Sequence, residues 1–481
     1  MSDNKVVKAG IGYLIANYLI KGITFLTLPI FARLLSTSDF GTYNIFVTYE
    51  GILTLLIGLG SYTSFKSARF KYGFKEEKKS NNYCYEEYVS SFLVLIISVT
   101  LILYALVVLF NKQATRLLDL DFFSVSMLVF AALGYVILQY YNYDKSLHYD
   151  YKGFVKVGAV NGVLSVVLSI IFILYLFDNH KYHGRMLGTT VTLVGISIVL
   201  TMIFIRRHRP GNYKEYYKWG LKYSLPIVPH GLSQLILSQF DRIMIKHMVG
   251  IAETGLYSFA FNIFSIIEVT HRALDTVWSQ WFFERMEKED YPAIKKYSSM
   301  YMLLILCFSV LIMLASPEMV IILGSSKYLE SVQCVIPIVA GGFFAFLYSV
   351  PCQVEYYREK TQYVAFGTMG AAFINIVLNY IFIKRYGYVA AAYTTLFTYG
   401  LYFLFHLLIS IKIEGRNLFS TKIILICVVS LLTSTAISII LMKQVIIRWI
   451  MIVAILTVTV LAEEKTVGFL KNKLKKREKD V

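Results

Sequence analysis

The chain has 481 residues, of which 57% are hydrophobic and 16% charged, with a mean hydropathy of +0.60. A soluble domain is about 45–50% apolar and about 25% charged, so this composition excludes an ordinary water-soluble protein. The net charge of +17 would suggest nucleic acid in a soluble chain, but here the basic residues lie between long apolar blocks, and no nucleic-acid partner is expected. The five cysteines (Cys84, Cys307, Cys334, Cys352, Cys427) form no CxxC pair, and neither a disulfide framework nor a metal site is indicated. The polar start MSDNKVVK shows no cleavable signal, because the block after it is too long for a signal core.

Each apolar block is about 20 residues long, enough to cross roughly 30 Å of hydrocarbon. Fourteen spans are predicted. Span one (10–34) holds Lys21 near its middle, with Asn17, Lys21 and Thr24 at i, i+4 and i+7 on one helix face. Span two (41–65) holds Glu50, Thr54, Gly58 and Ser61 as a polar or small stripe. Spans three to six follow at 89–110, 121–142, 153–177 and 186–205, with Lys156 at the start of the fifth and Asn161, Ser165 and Ser169 along it. Span seven (219–240) contains Lys222, the helix-bending Pro226 and Pro229, and His230, Gln234 and Ser238 at i, i+4 and i+8. Asp241 and Arg242 close it, read as an interfacial salt bridge at the outer surface.

Span eight (250–272) ends at Glu268, His271 and Arg272, where a local Glu268 ion pair is expected. The longest connection, 273–298, carries Trp278, Trp281, Phe282 and Phe283 before ERMEKED. It reads as an amphipathic linker or a short helix in the membrane interface. Spans nine to fourteen lie at 299–323, 332–354, 363–383, 388–411, 422–442 and 445–462, with Asn375 and Asn379 on the eleventh. The tail KNKLKKREK suits anionic lipid headgroups.

An even number of spans puts both termini on one side. That side receives 34 of the 47 Lys and Arg residues and the other side 12, so both termini are predicted to be cytoplasmic. The chain also repeats itself. STSDFGTYNIF (36–46) returns as GIAETGLYSFA (250–260), so that Asp39 meets Glu253, Gly41 meets Gly255 and Tyr43 meets Tyr257. VLSIIFI (167–173) returns as VLNYIFI (377–383), with Ser165 and Ser169 matching Asn375 and Asn379. Paired polar positions of this kind are read as contacts between helices. A six-span unit repeated in the same orientation is transporter architecture, with substrate between the halves. The expected division is a lobe at 1–210, a lobe at 211–415, two extra spans at 416–464 and a basic tail at 465–481.

KGITFLTLPIFARLLSTSDFGTYNIF (21–46) and KYSLPIVPHGLSQLILSQFDRIMIKHMVGIAETGLYSFAF (222–261) resemble the polysaccharide flippases of the O-antigen type. These belong to the multidrug/oligosaccharidyl-lipid/polysaccharide exporter superfamily. The resemblance implies an all-α polytopic membrane protein with two six-helix lobes, like multidrug extrusion transporters. The two extra C-terminal helices depart from the twelve spans common in the family. It further implies a cargo of oligosaccharide on polyprenyl pyrophosphate, carried across the cytoplasmic membrane for surface polysaccharide such as O-antigen or capsule. Membrane lipids and other polysaccharide-assembly membrane proteins are the expected partners.

For such a cargo, Lys21 either contacts the diphosphate, with Asn17 and Thr24 beside it, or pairs with a buried carboxylate. Lys156, Lys222 and Arg272 either form a cationic entrance or are ordinary interfacial residues. His230 and Gln234 either offer hydrogen bonds to sugar hydroxyls or join helices. Glu50 either couples H⁺ or Na⁺ or pairs with Lys21. No other cofactor, no metal and no catalytic residue is expected. No connection reaches 30 residues, which leaves no room for a soluble catalytic domain, and no phosphate-binding Gly-rich loop followed by Lys-Ser/Thr is present. The competing expectations are an ion-coupled multidrug exporter of the same fold and, with short outer loops against it, a membrane glycosyltransferase or polysaccharide polymerase.

Overall fold

A computed structural model describes residues 12–13, 19, 22–23, 25–75 and 83–459. The described residues form helices and turns without a strand. In chain order the helices are α1 (Phe25–Leu34), α2 (Thr37–Gly58), α3 (Phe65–Tyr72), α4 (Tyr85–Leu109), α5 (Asn111–Leu118), α6 (Phe122–Leu147), α7 (Tyr151–Tyr175), α8 (Lys181–Arg207) and α9 (Tyr213–Ser224). They continue as α10 (Val228–Met248), α11 (Ile251–Glu287), α12 (Tyr291–Gly324), α13 (Val332–Tyr357), α14 (Thr361–Tyr386), α15 (Val389–Glu414), α16 (Thr421–Ile440) and α17 (Val445–Thr459). Ten of them are long and apolar enough to cross a membrane by themselves, so the chain is an all-α, multi-pass integral membrane protein. The remaining four predicted spans contain α1, α10, α11 and α17, which are shorter within the described residues or more polar.

Local sequence explains where the helices begin. Ser36 and Asp39 form a reciprocal capping box at α2, with the Asp39 amide donating to Ser36 Oγ at 3.0 Å and the Ser36 amide to Asp39 Oδ2 at 3.2 Å. Asp121, Asp150, Asp290 and Ser420 cap α6, α7, α12 and α16 with side-chain oxygens.

Two expectations are corrected. The predicted span 219–240 is not one helix. Pro226 and Pro229 cannot donate backbone hydrogen bonds, and a 3₁₀ turn at Leu225–Ile227 separates α9 from α10, which continues to Met248. The segment 273–298 is neither an interfacial helix nor a linker. With no Gly or Pro between Gly255 and Glu287, α11 runs unbroken for 37 residues. A sharp turn with Glu289 at φ 52 leads into α12. Trp278 and Phe282 are buried rather than laid on a membrane surface. Trp278 packs on Tyr301 with ring centroids 5.4 Å apart, and Phe282 stacks on Phe419 at 6.5 Å.

The chain divides into two compact units, Met1–Asn262 with Ala365–Ala391, and Ile263–Val364 with Ala392–Val481. The first is centred on an aromatic core between α2, α4, α6 and α9. Phe65 meets Tyr140 edge-on at 4.6 Å, and Tyr88 shares a 2.6 Å hydrogen bond with Ser64. Buried tyrosines need such partners for their hydroxyls. In the second unit α13 is the interior helix and is mostly buried, whereas α7 of the first is mostly exposed or half-buried. There α17 is pinned by Arg448, which donates to Glu318 at 2.6 and 2.7 Å and to the Leu314 carbonyl at 2.6 Å.

The internal repeat has a physical cause within the first unit. A Cβ placed on Gly41 would lie 2.1 Å from the Ile251 carbonyl oxygen, and one on Gly255 would lie 2.0 Å from the Thr37 carbonyl oxygen. Thr37 and Ile251 are separated by the same 214 residues as the two glycines. The starts of α2 and α11 therefore cross backbone to backbone in a reciprocal, two-fold-like contact, and any side chain at either glycine would block it. Beyond this contact, α6 and α13 are both 26 residues long and begin 210 residues apart.

Candidate functional site

The polar stripe of α2 lies among neighbouring helices of its unit. Glu50 is 8% exposed, and its Oε1 and the Thr54 hydroxyl are buried without a hydrogen bond among the described residues. Further along the same face, a Cβ on Gly58 would meet Val136 of α6 at 3.3 Å, and Ser61 is hydrogen-bonded to the Tyr140 hydroxyl. The adjoining edge of α2 rests on α10. A Cβ on Gly51 would lie 3.6 Å from Leu235 and 3.9 Å from Gln239 Nε2, and one on Gly231 would lie 3.1 Å from Leu55.

On α10, His230 is half-buried, and its Nδ1 has no hydrogen bond among the described residues. One turn on, Gln234 donates to Thr368 Oγ1 of α14 at 3.4 Å. The Ser238 hydroxyl donates back to the Gln234 carbonyl at 2.9 Å, a bond that tends to bend a helix.

Asn17, Lys21 and Thr24 lie outside the described residues. Two described residues near them, Tyr13 and Ile23, rest on α7: Tyr13 is edge-on to Phe154 at 5.2 Å, and Ile23 lies 3.4 Å from a Cβ built on Gly162. Lys156 on α7 and Lys222 on α9 are exposed. Arg272, on α11 in the second unit, is exposed and pairs with Glu268 one turn back at 2.5 Å, the local pair expected there. The serines of α7 bond to α8, Ser165 to Thr189 and Ser169 to the Arg185 carbonyl, each at 3.3 Å.

The surface salt bridge expected at Asp241 and Arg242 is corrected. Asp241 is 1% exposed, and its two oxygens accept from the Tyr257 hydroxyl and from Asn379 Nδ2, each at 2.6 Å. Asn379 also donates to Asn375 Oδ1 at 3.0 Å. Arg242 instead lies over the Phe261 ring at 4.8 Å. The carboxylate is drawn inward because α11 and α14 present hydrogen-bond donors to α10 at that level. The sequence held the parts of this node, Tyr257 in the repeated motif and Asn375 and Asn379 one turn apart, but not their meeting with Asp241.

Two further groups escape sequence reasoning. Arg185 places its guanidinium 3.3 Å from the Phe31 ring centre and 4.9 Å from that of Tyr43. This is a cation–π site in which Nε and Nη1 are buried without hydrogen bonds among the described residues. In the second unit, Glu355 and His406 are paired in a fully buried setting; they lie 51 residues apart on α13 and α15, which no local motif announces.

At the start of α6, Asp121 accepts from His183 Nε2 at 2.8 Å and from the Ser124 amide at 2.9 Å. Partial burial pushes its carboxyl up, but these hydrogen bonds outweigh that and hold it well below the usual range.

The sequence matches the family described as polysaccharide biosynthesis protein over residues 6–273. It is 21% identical over 339 residues to Lsg locus putative protein 1 of Haemophilus influenzae, covering 67% of this chain and 77% of that protein. Among solved structures, it is similar to one described as lipid II flippase MurJ in the inward closed conformation. The TM-score is 0.71 at 14% identity, covering 95% of this chain and 99% of that one. It is also similar to an inward-facing multidrug resistance MATE family transporter of the MOP superfamily, with a TM-score of 0.61 at 17% identity, covering 84% and 98%. The two structural likenesses establish the fold, and the family match extends over more than half of the sequence: the chain belongs to the polysaccharide biosynthesis protein family.

Proposed function

We propose that the protein is a flippase that moves a polyprenyl-pyrophosphate-linked oligosaccharide from the cytoplasmic to the outer leaflet by alternating access, for assembly of a surface polysaccharide. It acts as a transporter and not as an enzyme. The observation that carries this reading is membership of the polysaccharide biosynthesis family in a chain whose described residues form a membrane bundle with no soluble domain. The fold shared with a lipid II flippase supports it.

Such a cargo has a diphosphate and hydroxyls that cost several kcal/mol each when stripped of water, so its carrier must offer polar groups at membrane depth. Lys21 is assigned to the diphosphate, flanked by Asn17 and Thr24. His230 and Gln234 on α10 are assigned to sugar hydroxyls. Lys156 and Lys222 in the first unit and, separately, Arg272 in the second are each assigned to contact with the anionic headgroup on the cytoplasmic side, where both termini are assigned. Glu50, with one carboxylate oxygen buried and without a hydrogen bond among the described residues, is the candidate for H⁺ or Na⁺ coupling.

The test is deletion of the gene followed by analysis of surface glycan and of its lipid-linked precursor. Loss of glycan with precursor held in the cytoplasmic leaflet is expected. Normal glycan with altered drug resistance would instead favour a multidrug exporter, to which the MATE-like fold also lends itself.

A further inference from the structure

Cys352 and Glu355 lie one turn apart on α13, and His406 lies on α15; their exposures are 3%, 0% and 0%. Glu355 Oε1 and His406 Nδ1 are 2.6 Å apart. Glu355 Oε2 and His406 Nε2 are also buried, yet neither has a hydrogen bond among the described residues. One donor atom from each of the three residues lies within 4.8 Å of the others. The rings of Tyr402, Phe405 and Tyr348 surround the imidazole with centroids at 4.6, 5.2 and 5.6 Å, which shields the cluster from water.

A simple Glu–His pair accounts for one atom on each side chain. It leaves two buried polar atoms carrying their full desolvation penalty. A divalent ion that takes the place of the shared hydrogen bond engages the carboxylate oxygen that the pair leaves free. Thiolate, carboxylate and neutral imidazole carry two negative charges together, so the occupied site is electrically neutral, which matters inside a membrane bundle. Thiolate with imidazole and one carboxylate is the donor set of zinc, not of calcium or magnesium, which take oxygen.

We propose that Cys352, Glu355 and His406 bind one zinc-class transition-metal ion that staples α13 to α15. Binding displaces the thiol proton to solvent. Zinc ligands at about 2.0–2.3 Å from the ion lie roughly 3–4 Å from one another, so the 2.6 Å Glu355–His406 hydrogen bond opens when it binds. The inference does not depend on which cargo the protein carries.

The experiment is titration of purified, chelator-treated, full-length protein with cobalt(II), a spectroscopic stand-in for zinc. One equivalent is expected to produce a thiolate-to-cobalt charge-transfer band, and zinc is expected to bleach it. Cys352→Ser must lose the charge-transfer band, and His406→Gln must weaken binding at least tenfold. Cys84 is the internal control, because its Sγ lies 3.8 Å from His208 Nδ1 in the other unit; Cys84→Ser must leave the band intact. The proposal is overturned if the folded wild type shows no thiolate band, if the band survives Cys352→Ser, or if it disappears with Cys84→Ser. Should His406→Gln not fold, the wild-type and two serine-variant spectra decide the question.

Discussion

Two buried carboxylates, one in each unit, sit in opposite circumstances. Asp241 in the first unit has a donor on each oxygen, Tyr257 on one and Asn379 on the other. Glu355 in the second has one oxygen on His406 and the other without a partner among the described residues. Burial is equally deep, so burial alone does not separate a carboxylate used for packing from one still able to bind something. What separates them is the number of oxygens already engaged. The Asp241 node is joinery between α10, α11 and α14, and the Glu355 node retains capacity.

The widest effect expected from this contrast is on stability. Asp241→Ala removes two charge-assisted hydrogen bonds of about 1.5–3 kcal/mol each, about 3–6 kcal/mol together, and is expected to lower the thermal midpoint of the purified protein sharply. In chelator-treated protein, Glu355→Gln keeps an acceptor for His406 and is expected to cost about 1 kcal/mol or less. Equal losses from the two variants would erase the distinction between the nodes.

Next in size is Gly41→Val, which forces a side chain against the Ile251 carbonyl and is expected to destabilise by about 1–3 kcal/mol or more. A neutral result would show that the reciprocal crossing of α2 and α11 does not need its glycines.

A smaller effect carries a pH signature. The folded-state pKa of Asp121 lies below its unfolded value, so its contribution is complete above the unfolded pKa of about 3.9 and fades as pH falls through the folded pKa. Asp121→Asn is therefore expected to lower the midpoint at neutral pH, with the gap to wild type closing below about pH 4. A gap that widens on acidification would contradict the assignment. Smallest is Arg272→Ala. The Glu268 pair is exposed, so a stability change within about 0.5 kcal/mol is expected, and any loss of glycan export by this variant would then report on substrate.

The fold was legible in the sequence because each span signals itself: an apolar block of fixed length with basic residues gathered on one side is a local pattern. The repeat was legible for a related reason. Gly41 and Gly255 must both lack a side chain where backbones cross, and that requirement leaves the same small motif in two places. Helix continuity was less visible. The polar run around ERMEKED looked like a connection, although nothing in it breaks a helix, and α11 runs through most of it to Glu287.

Least legible were the nodes built from distant residues. Asp241 at the end of an apolar run resembled an interfacial charge, because its partners Tyr257 and Asn379 lie on other helices. His406 gave no sign of Glu355, and only the spacing of Cys352 and Glu355 by three on one helix offered two of the three residues of that set. Periodicity reveals which residues share a helix face, not which faces meet.

The central claim is that this protein moves a lipid-linked oligosaccharide across a bilayer. It is tested most directly by reconstituting the purified protein into vesicles that hold a polyprenyl-pyrophosphate oligosaccharide in both leaflets and adding a membrane-impermeant glycosidase. Digestion of the outer-leaflet pool alone is expected in protein-free vesicles. Digestion of nearly the whole pool is expected with the wild type, little beyond the outer pool with Lys21→Ala, and an intermediate amount with Lys21→Arg. If folded wild-type protein leaves the inner pool protected, with or without an imposed proton or sodium gradient, the flippase account is contradicted.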